Sequence, residues 1–171
     1  AEIIAGLLPE GTAILNADDA RCAAMAELAP ARVLTFSAQG DSADLRAENV
    51  VVDETARAAF DLHLPGLDAP RRVQLAVAGV HNVANALAAA GLALAAGLEP
   101  ELIAERLGSV SIESPHRMDV SELSGDLLLI DDSYNANIDS MTAALAALPA
   151  LAGSRRRVVV VSEMLELGES S

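Results

Sequence analysis

The sequence contains no lysine and only one cysteine, and both shortages exclude types of chemistry. All 11 residues counted as Lys or Arg are arginines, so no P-loop lysine, Schiff-base lysine or lysine general base exists within these residues. Cys22 has no partner for an intramolecular disulfide, and the three scattered histidines offer no spacing typical of a metal site. We expect a cytoplasmic protein, with no metal held by this chain.

Aromatic residues are also scarce, at 2%, and the net charge is -14. Such an acidic surface repels phosphate backbones and anionic lipids, which predicts neither nucleic-acid binding nor membrane insertion. The apolar runs are alanine-rich and interrupted by polar residues, and no charged-then-apolar leader opens the chain. The hydrophobic share of 52% in 171 residues is nevertheless enough to build a core for one domain or two small ones.

The first half of the chain alternates apolar runs with turn residues, a pattern typical of strands. The runs cover residues 12–15, 32–36, 44–52, 59–64 and 73–77. A short helix over 20–28 is expected between the first two, because Asp18 and Asp19 supply a helix start and Pro30 a stop. Alternation of Asp61 and His63 with apolar neighbours predicts an antiparallel sheet with one solvated face. The edge of a larger sheet is the alternative.

Two helices follow these strands in the sequence. Residues 80–97 form an alanine- and leucine-rich stretch that ends at Gly97 and is apolar on nearly every side, which predicts a buried helix. A second helix is expected to start at Glu99–Glu101, to run through Leu107 and to stop before Gly108. Residues 109–115 are typical of a linker, so we place a domain boundary between 115 and 116.

The remaining residues, 116–171, predict the start of an incomplete Rossmann-like βαβ domain. A turn at residues 124–125 precedes the strand LLLID, a helix over 140–151 follows, and RRRVVVVSE supplies the second strand. Continuous apolar strands indicate a parallel sheet covered on both faces. Because such sheets average about five or six strands, we expect this domain to be truncated.

Polar residues gather where ligands bind in open parallel sheets, at the carboxyl ends of strands. The first predicted strand of the βαβ unit is followed by residues 131–137, and the second by Ser162 and Glu163, and a right-handed crossover is expected to bring the two groups to one rim. The alternative is structural, with Asn137 or Asp139 capping the next helix and Asp132 a solvated turn residue.

A second polar group opens the alanine-rich helix. His81, Asn82 and Asn85 share one face of its first turns. An amide both donates and accepts, as a purine edge requires, and a helix N-terminus favours anions, so a nucleotide would satisfy this face. Capping and backbone hydrogen bonds are the alternative. Arg117, next to His116 in the linker region, is either a phosphate or ribose contact or an ordinary surface arginine.

Six strings, in this order, resemble the Mur ligase family of peptidoglycan synthesis: AEIIAGL, TAILNADD, HNVANALAAA, HRM, DDSYNAN.DSM and EMLELGE. The DDSYNAN.DSM string is similar to the members that add D-alanyl-D-alanine to UDP-N-acetylmuramoyl tripeptide. The resemblance implies an α/β fold, in which 1–115 are the later part of a central ATP-binding domain with mixed or antiparallel strands. Residues 116–171 are then the start of the C-terminal domain.

The resemblance also implies a reaction and a set of roles. ATP, with Mg²⁺, activates the carboxylate of the UDP-sugar peptide as an acyl phosphate, which the amine of D-alanyl-D-alanine attacks. Matched residues would bind the nucleotide at Asn82, Asn85, Arg117 and Asp132. Matched residues at the domain junction, where the amine substrate and nucleotide meet, are His116, Ser133, Tyr134, Asn135 and Asn137.

The family's P-loop, its magnesium-binding Glu and His and its carbamylated Lys precede the segment that matches AEIIAGL, so we expect this chain alone to be inactive. The sequence departs from the family at Val80, Ile138 and Ser162, where Arg, Pro and Gly are common. Two alternatives remain open. One is a non-catalytic binding module that reuses the fold, and the other is a related amide ligase, such as the ligase that adds the third amino acid or a folylpolyglutamate synthase.

Overall fold

The computed structural model describes residues 2–40, 42–110 and 116–164. The strands are β1 (Thr12–Asn16), β2 (Arg32–Ser37), β3 (Leu45–Val52), β4 (Arg57–His63), β5 (Arg71–Ala78), β6 (Asp119–Leu123) and β7 (Leu127–Asp131). The helices are α1 (Glu2–Ala5), α2 (Ala20–Ala23), α3 (Asn82–Ala95), α4 (Pro100–Leu107) and α5 (Ile138–Ala152), with a 3₁₀ helix over Ala24–Leu28.

The five strands predicted in the first half all form, and they make one mixed sheet in the order β1-β2-β3-β4-β5. The pairs β1·β2 and β2·β3 are parallel, whereas β3·β4 and β4·β5 are antiparallel. The antiparallel part therefore continues a larger sheet, which was the alternative left open by the sequence. One of its faces is solvated as predicted, because Asp61, His63 and Gln74 alternate with buried neighbours.

The core lies between this sheet and α3. Phe60, Leu62 and Leu87 are fully buried there. Gly91 brings the backbone of α3 against β1, since a Cβ at this position would stand 2.7 Å from Cγ2 of Ile14. The expectation of burial on all sides of this helix is wrong, because Leu92 is 61% exposed. Alanine is apolar but short, so it fits a helix face in contact with the sheet and a face in solvent equally well.

The predicted helix ends are confirmed where a residue has a specific capping function. Asp19 accepts a hydrogen bond from the Arg21 backbone at 2.8 Å and caps α2. Pro100 occupies the first turn of α4, and Gly108 is its C-terminal cap residue. Proline is suited to this position because its missing N–H has no partner within the first helical turn. The predicted linker lies partly outside the described residues, which omit 111–115.

The α/β class holds for residues 116–164, but the strands are arranged differently from the prediction. Strand β7 pairs antiparallel with β6, because a three-residue turn with Gly125 and Asp126 at positive φ reverses the chain. The run 158–161 forms no strand, and Val160 is 93% exposed. A parallel sheet covered on both faces is therefore not formed within the described residues, since a strand requires hydrogen bonding to a neighbour. Ser162 and Glu163 consequently follow no strand end.

Helix α5 starts two residues earlier than predicted, because the cap is Asn137. Within the part of the chain that the structure describes, no helix is long and apolar enough to cross a membrane.

Candidate functional site

A groove of about 860 Å³ lies where the start of α3 faces residues 117–144, and we call it the junction groove. It gathers all four residues predicted to bind the nucleotide. They are Asn82, Asn85, Arg117 and Asp132. Three of the residues predicted at the amine site also line it, namely Tyr134, Asn135 and Asn137. The other lining residues are His81, Met118, Ile138, Asp139, Ser140, Ala143 and Ala144. His116 and Ser133 are not among the lining residues.

Two linked amides form one side of the junction groove. Asn82 Nδ2 donates to the carbonyl of Ala78, at the end of β5, at 2.7 Å. Asn85 Nδ2 donates to Asn82 Oδ1 at 2.9 Å. Asn82 thus makes a hydrogen bond to the backbone, as the alternative to nucleotide binding predicts. The same bond fixes the orientation of the Asn82 amide and, through it, that of Asn85. Asn85, the outer member of the pair, is exposed and presents its amide to the groove.

Asp132 forms the opposite side and is half-buried. Its Oδ1 accepts a hydrogen bond from the backbone N–H of Met118 at 3.0 Å, so the carboxylate is more than a solvated turn residue. Its charge also reaches across the groove to His81. Burial of the His81 ring lowers the pKa of the imidazole, and the negative charge of Asp132 acts in the opposite direction. His81 and Asp132 therefore line the same groove, near enough for their charges to interact, although 51 positions separate them in the sequence.

His81 also lines the groove, on the helix face that the sequence predicts for a nucleotide or for capping, although the family resemblance gives it no role. It precedes α3, whose N-terminal cap position it occupies without a side-chain capping hydrogen bond. The signal in the sequence was the i, i+4 relation to Asn85, which places both on one helix face. The sequence did not predict that Asp132 lines the same groove as His81.

Residues 116–118, which directly follow the predicted linker, are joined to residues 131–134 by four contacts, which we call the linker clamp. His116 Nδ1 donates to Asp131 Oδ2 at 2.7 Å. The backbone N–H of Tyr134 donates to the His116 carbonyl at 3.0 Å. The Arg117 guanidinium lies 4.2 Å from the centroid of the Tyr134 ring, within the range of a cation–π interaction. The fourth contact is the hydrogen bond between Met118 and Asp132.

Asp131 is the most strongly perturbed acid of the clamp. The hydrogen bond from His116, and then those from the Ser133 hydroxyl and backbone, lower the pKa of its carboxyl to about 2. Ser133 Oγ donates to Asp131 Oδ1 at 2.7 Å, so the two carboxylate oxygens have different partners. The carboxylate is therefore a hydrogen-bond acceptor near neutral pH, held by two short contacts.

Asn137 has a structural function that the sequence offered as an alternative. Its Oδ1 accepts from the backbone of Ser140 at 2.8 Å, while Ser140 Oγ accepts from the backbone of Asn137 at 3.1 Å, a reciprocal capping box. Asn135 Oδ1 accepts from the neighbouring Ala136 N–H at 2.8 Å. The loop 131–137 is thus fixed at both ends by its own side chains, which gives the groove a defined wall.

No group of three or more His, Cys, Asp or Glu side chains that could hold a metal ion occurs within residues 2–40, 42–110 and 116–164. Ser162 and Glu163 do not line the junction groove. The groove therefore offers amides, the carboxylates of Asp132 and Asp139 and the Arg117 guanidinium for recognition of a polar ligand.

Family models match both parts of the chain. Residues 1–93 match the Mur ligase middle domain, and residues 116–171 match the Mur ligase, glutamate ligase domain. The chain belongs to the Mur ligase family. Among its Mur ligase relatives, the UDP-N-acetylmuramoyl-tripeptide--D-alanyl-D-alanine ligase of Mycobacterium tuberculosis (strain ATCC 25618 / H37Rv) is 43% identical, over 100% of this chain and 34% of the relative. The ligase of the same name from Escherichia coli (strain K12) is 38% identical, over 99% of this chain and 36% of the relative.

A solved structure supports the same Mur ligase relationship. MurF from Acinetobacter baumannii matches with a TM-score of 0.76 and 35% sequence identity, over 87% of this chain and 31% of that chain. The chain thus spans about a third of the length of the Mur ligases it matches. The resemblance inferred from six short strings is confirmed over the whole sequence.

Proposed function

We propose that this chain is part of an ATP-dependent amide-bond ligase that adds D-alanyl-D-alanine to UDP-N-acetylmuramoyl tripeptide in peptidoglycan synthesis. The observation that carries the proposal is the junction groove, where two amides, an arginine and an aspartate from distant parts of the sequence line a space large enough for a nucleotide. The relatives that carry this ligase name at 43% and 38% identity support the choice of amine. Under this proposal the protein acts in the cytoplasm.

Each side of the groove has one task in this proposal. Asn85, oriented by Asn82, reads the edge of adenine, since an amide offers a donor and an acceptor together. Asp132 accepts from the ribose hydroxyls, and its bond to Met118 fixes its direction. Arg117 binds ribose or phosphate oxygens, for which a guanidinium is well suited. Tyr134, Asn135 and Asn137 lie where the amine substrate meets the nucleotide.

The resemblance also assigned His116 and Ser133 to the amine site. Both lie outside the groove lining and are engaged with Asp131, so we give them no direct ligand contact. We place the boundary of the two domains between residues 115 and 116, which the separate family matches support. The triphosphate and Mg²⁺ contacts come, in this proposal, from parts of the ligase other than these 171 residues.

Binding of adenosine to the 171-residue chain tests the nucleoside part of the proposal. We expect weak binding, seen in ¹H–¹⁵N correlation spectra at millimolar adenosine as shifts of groove amides such as Asn85 and Asp132. Asn85→Leu and Asp132→Asn should each weaken these shifts. Asp126→Asn is the matched control, because it changes an exposed aspartate whose partner is Arg155, outside the groove. Shifts scattered over the surface, or equal for guanosine, would contradict the assignment.

The reaction is tested with the full-length gene product. With UDP-N-acetylmuramoyl tripeptide and ATP, phosphate release should require D-alanyl-D-alanine and should not occur with L-alanine or glutamate as the amine. Asp132→Ala should reduce the turnover. ATP hydrolysis by the isolated chain above background, abolished by Asp132→Ala, would show that the missing parts are not needed and would contradict the proposal.

A further inference from the structure

The linker clamp anchors the backbone on both sides of Arg117. His116 is held through its side chain by Asp131 and through its carbonyl by Tyr134, and Met118 is held through its N–H by Asp132. Arg117 stands between these two anchored residues with its guanidinium over the Tyr134 ring. The direction of the Arg117 side chain is therefore set by the two anchored residues beside it, as well as by its own contact with the Tyr134 ring.

The backbone of the linker is also strained. His116 and Met118 have φ of +64° and +49°, in the left-handed region that side chains other than Gly, Asn and Asp rarely adopt. A conformation of this kind persists only when surrounding contacts enforce it. Loss of an anchor would let the linker return to an ordinary backbone conformation, and that change would turn the Arg117 side chain away from its present position.

Asp131 and His116 do not line the junction groove, whereas Arg117 and Tyr134 do. The pair therefore acts on the groove through its neighbours. We propose that Asp131 and His116 are positioning residues that hold Arg117 on the face of Tyr134 and thereby aim its guanidinium into the junction groove. The ligand that the guanidinium meets rests on the proposed function, but the positioning itself does not.

The composition of the chain supplies a direct readout. Tyr134 is the only tyrosine, and there is no tryptophan. The intrinsic fluorescence of the full 171-residue chain therefore comes from the Tyr134 ring, on which Arg117 lies. Quenching by acrylamide measures how well the ring is covered, and Arg117→Ala gives the value for a ring without the guanidinium.

We expect Asp131→Asn and His116→Gln each to raise the acrylamide quenching constant by at least half of the change produced by Arg117→Ala. In an Arg117→Ala background, Asp131→Asn should add nothing, because its effect passes through Arg117. Asp126→Asn, which breaks the exposed 2.9 Å ion pair with Arg155 next to the same hairpin, should leave the quenching unchanged.

Wild-type quenching in both Asp131→Asn and His116→Gln, with a clear change in Arg117→Ala, would overturn the proposal. An unchanged constant in Arg117→Ala would also overturn it, since the stacked contact would then be absent in solution. If Asp131→Asn fails to fold, His116→Gln alone decides between these outcomes. Addition of millimolar ADP to the wild type separates the positioning proposal from the proposed nucleotide site. If the variants confirm the clamp but ADP has no effect on the wild type, only nucleotide binding is contradicted.

Discussion

The imidazole ring of His81 lies against Gly79, so closely that a Cβ at position 79 would stand 2.8 Å from Nδ1 of the ring. Gly79 has φ of +102° and follows β5, and its N–H donates to the Ala56 carbonyl at 2.7 Å. The turn from the sheet into α3 thus depends on a residue without a side chain. The same turn directs His81 toward the junction groove.

Gly79→Ala should destabilise the chain by about 1 to 2 kcal/mol, since the position combines an unfavourable φ with a steric clash. Denaturant unfolding measures this loss. The clash should also move His81, seen as a change in its imidazole NMR signals. Gly97→Ala is the control, because that residue has φ of +85° but no atom within 4 Å of an added Cβ. Equal shifts of the His81 signals in both variants would contradict the contact.

Leu87→Ala should cost about 2 to 5 kcal/mol of unfolding free energy, because the side chain is fully buried between α3 and the sheet. Leu92 lies on the same helix and is 61% exposed, so Leu92→Ala should change the stability by less than about 0.5 kcal/mol. Chemical denaturation of the two variants provides the comparison. Similar losses would mean that the outer face of α3 is covered in solution.

Asn137→Ala should destabilise α5 by about 1 kcal/mol, since it removes the side-chain acceptor of the capping box. Asn137→Asp retains an acceptor and should restore most of the loss. Thermal unfolding followed by circular dichroism tests both variants. If Asn137→Asp proves as unstable as Asn137→Ala, the capping assignment is wrong.

The Asp131 carboxyl should titrate near pH 2 in the folded chain, below its ordinary value of 3.8. Because the folded pKa is the lower one, the contribution of Asp131 to stability is present above about pH 4 and is lost as the pH falls toward about 2. The stability difference between wild type and Asp131→Asn should therefore shrink across this window. The ¹³C shift of the Asp131 carboxyl gives the titration directly, and a midpoint near 3.8 would exclude the hydrogen bonds from His116 and Ser133.

Local signals predicted the first half of the fold well. Strands 1 to 5 follow apolar alternation, and α2 and α4 follow Asp19 and Pro100, because caps and alternation are properties of neighbouring residues. The prediction was wrong where a segment becomes a strand only if another strand pairs with it. The valines at 158–161 have strong strand propensity, but propensity supplies no hydrogen-bond partner, and they form no strand within the described residues.

The candidate site shows the same division. Asn82 and Asn85 were predictable because helical spacing places them on one face, and Asp132 was predictable because it follows a strand. The clamp was not predictable, since Asp131 and His116 meet only when the hairpin β6–β7 folds back, 15 positions apart in the sequence.

The sequence by itself determined the family, the strands of the main sheet and the polar residues that a nucleotide site would use. Each of these rests on residue identity and short-range spacing. Only the tertiary structure decided that His81 and Asp132 line one groove, that β7 pairs with β6, and that Arg117 lies on Tyr134. These contacts depend on where chain reversals bring distant side chains, and that is settled by the packing of the whole fold.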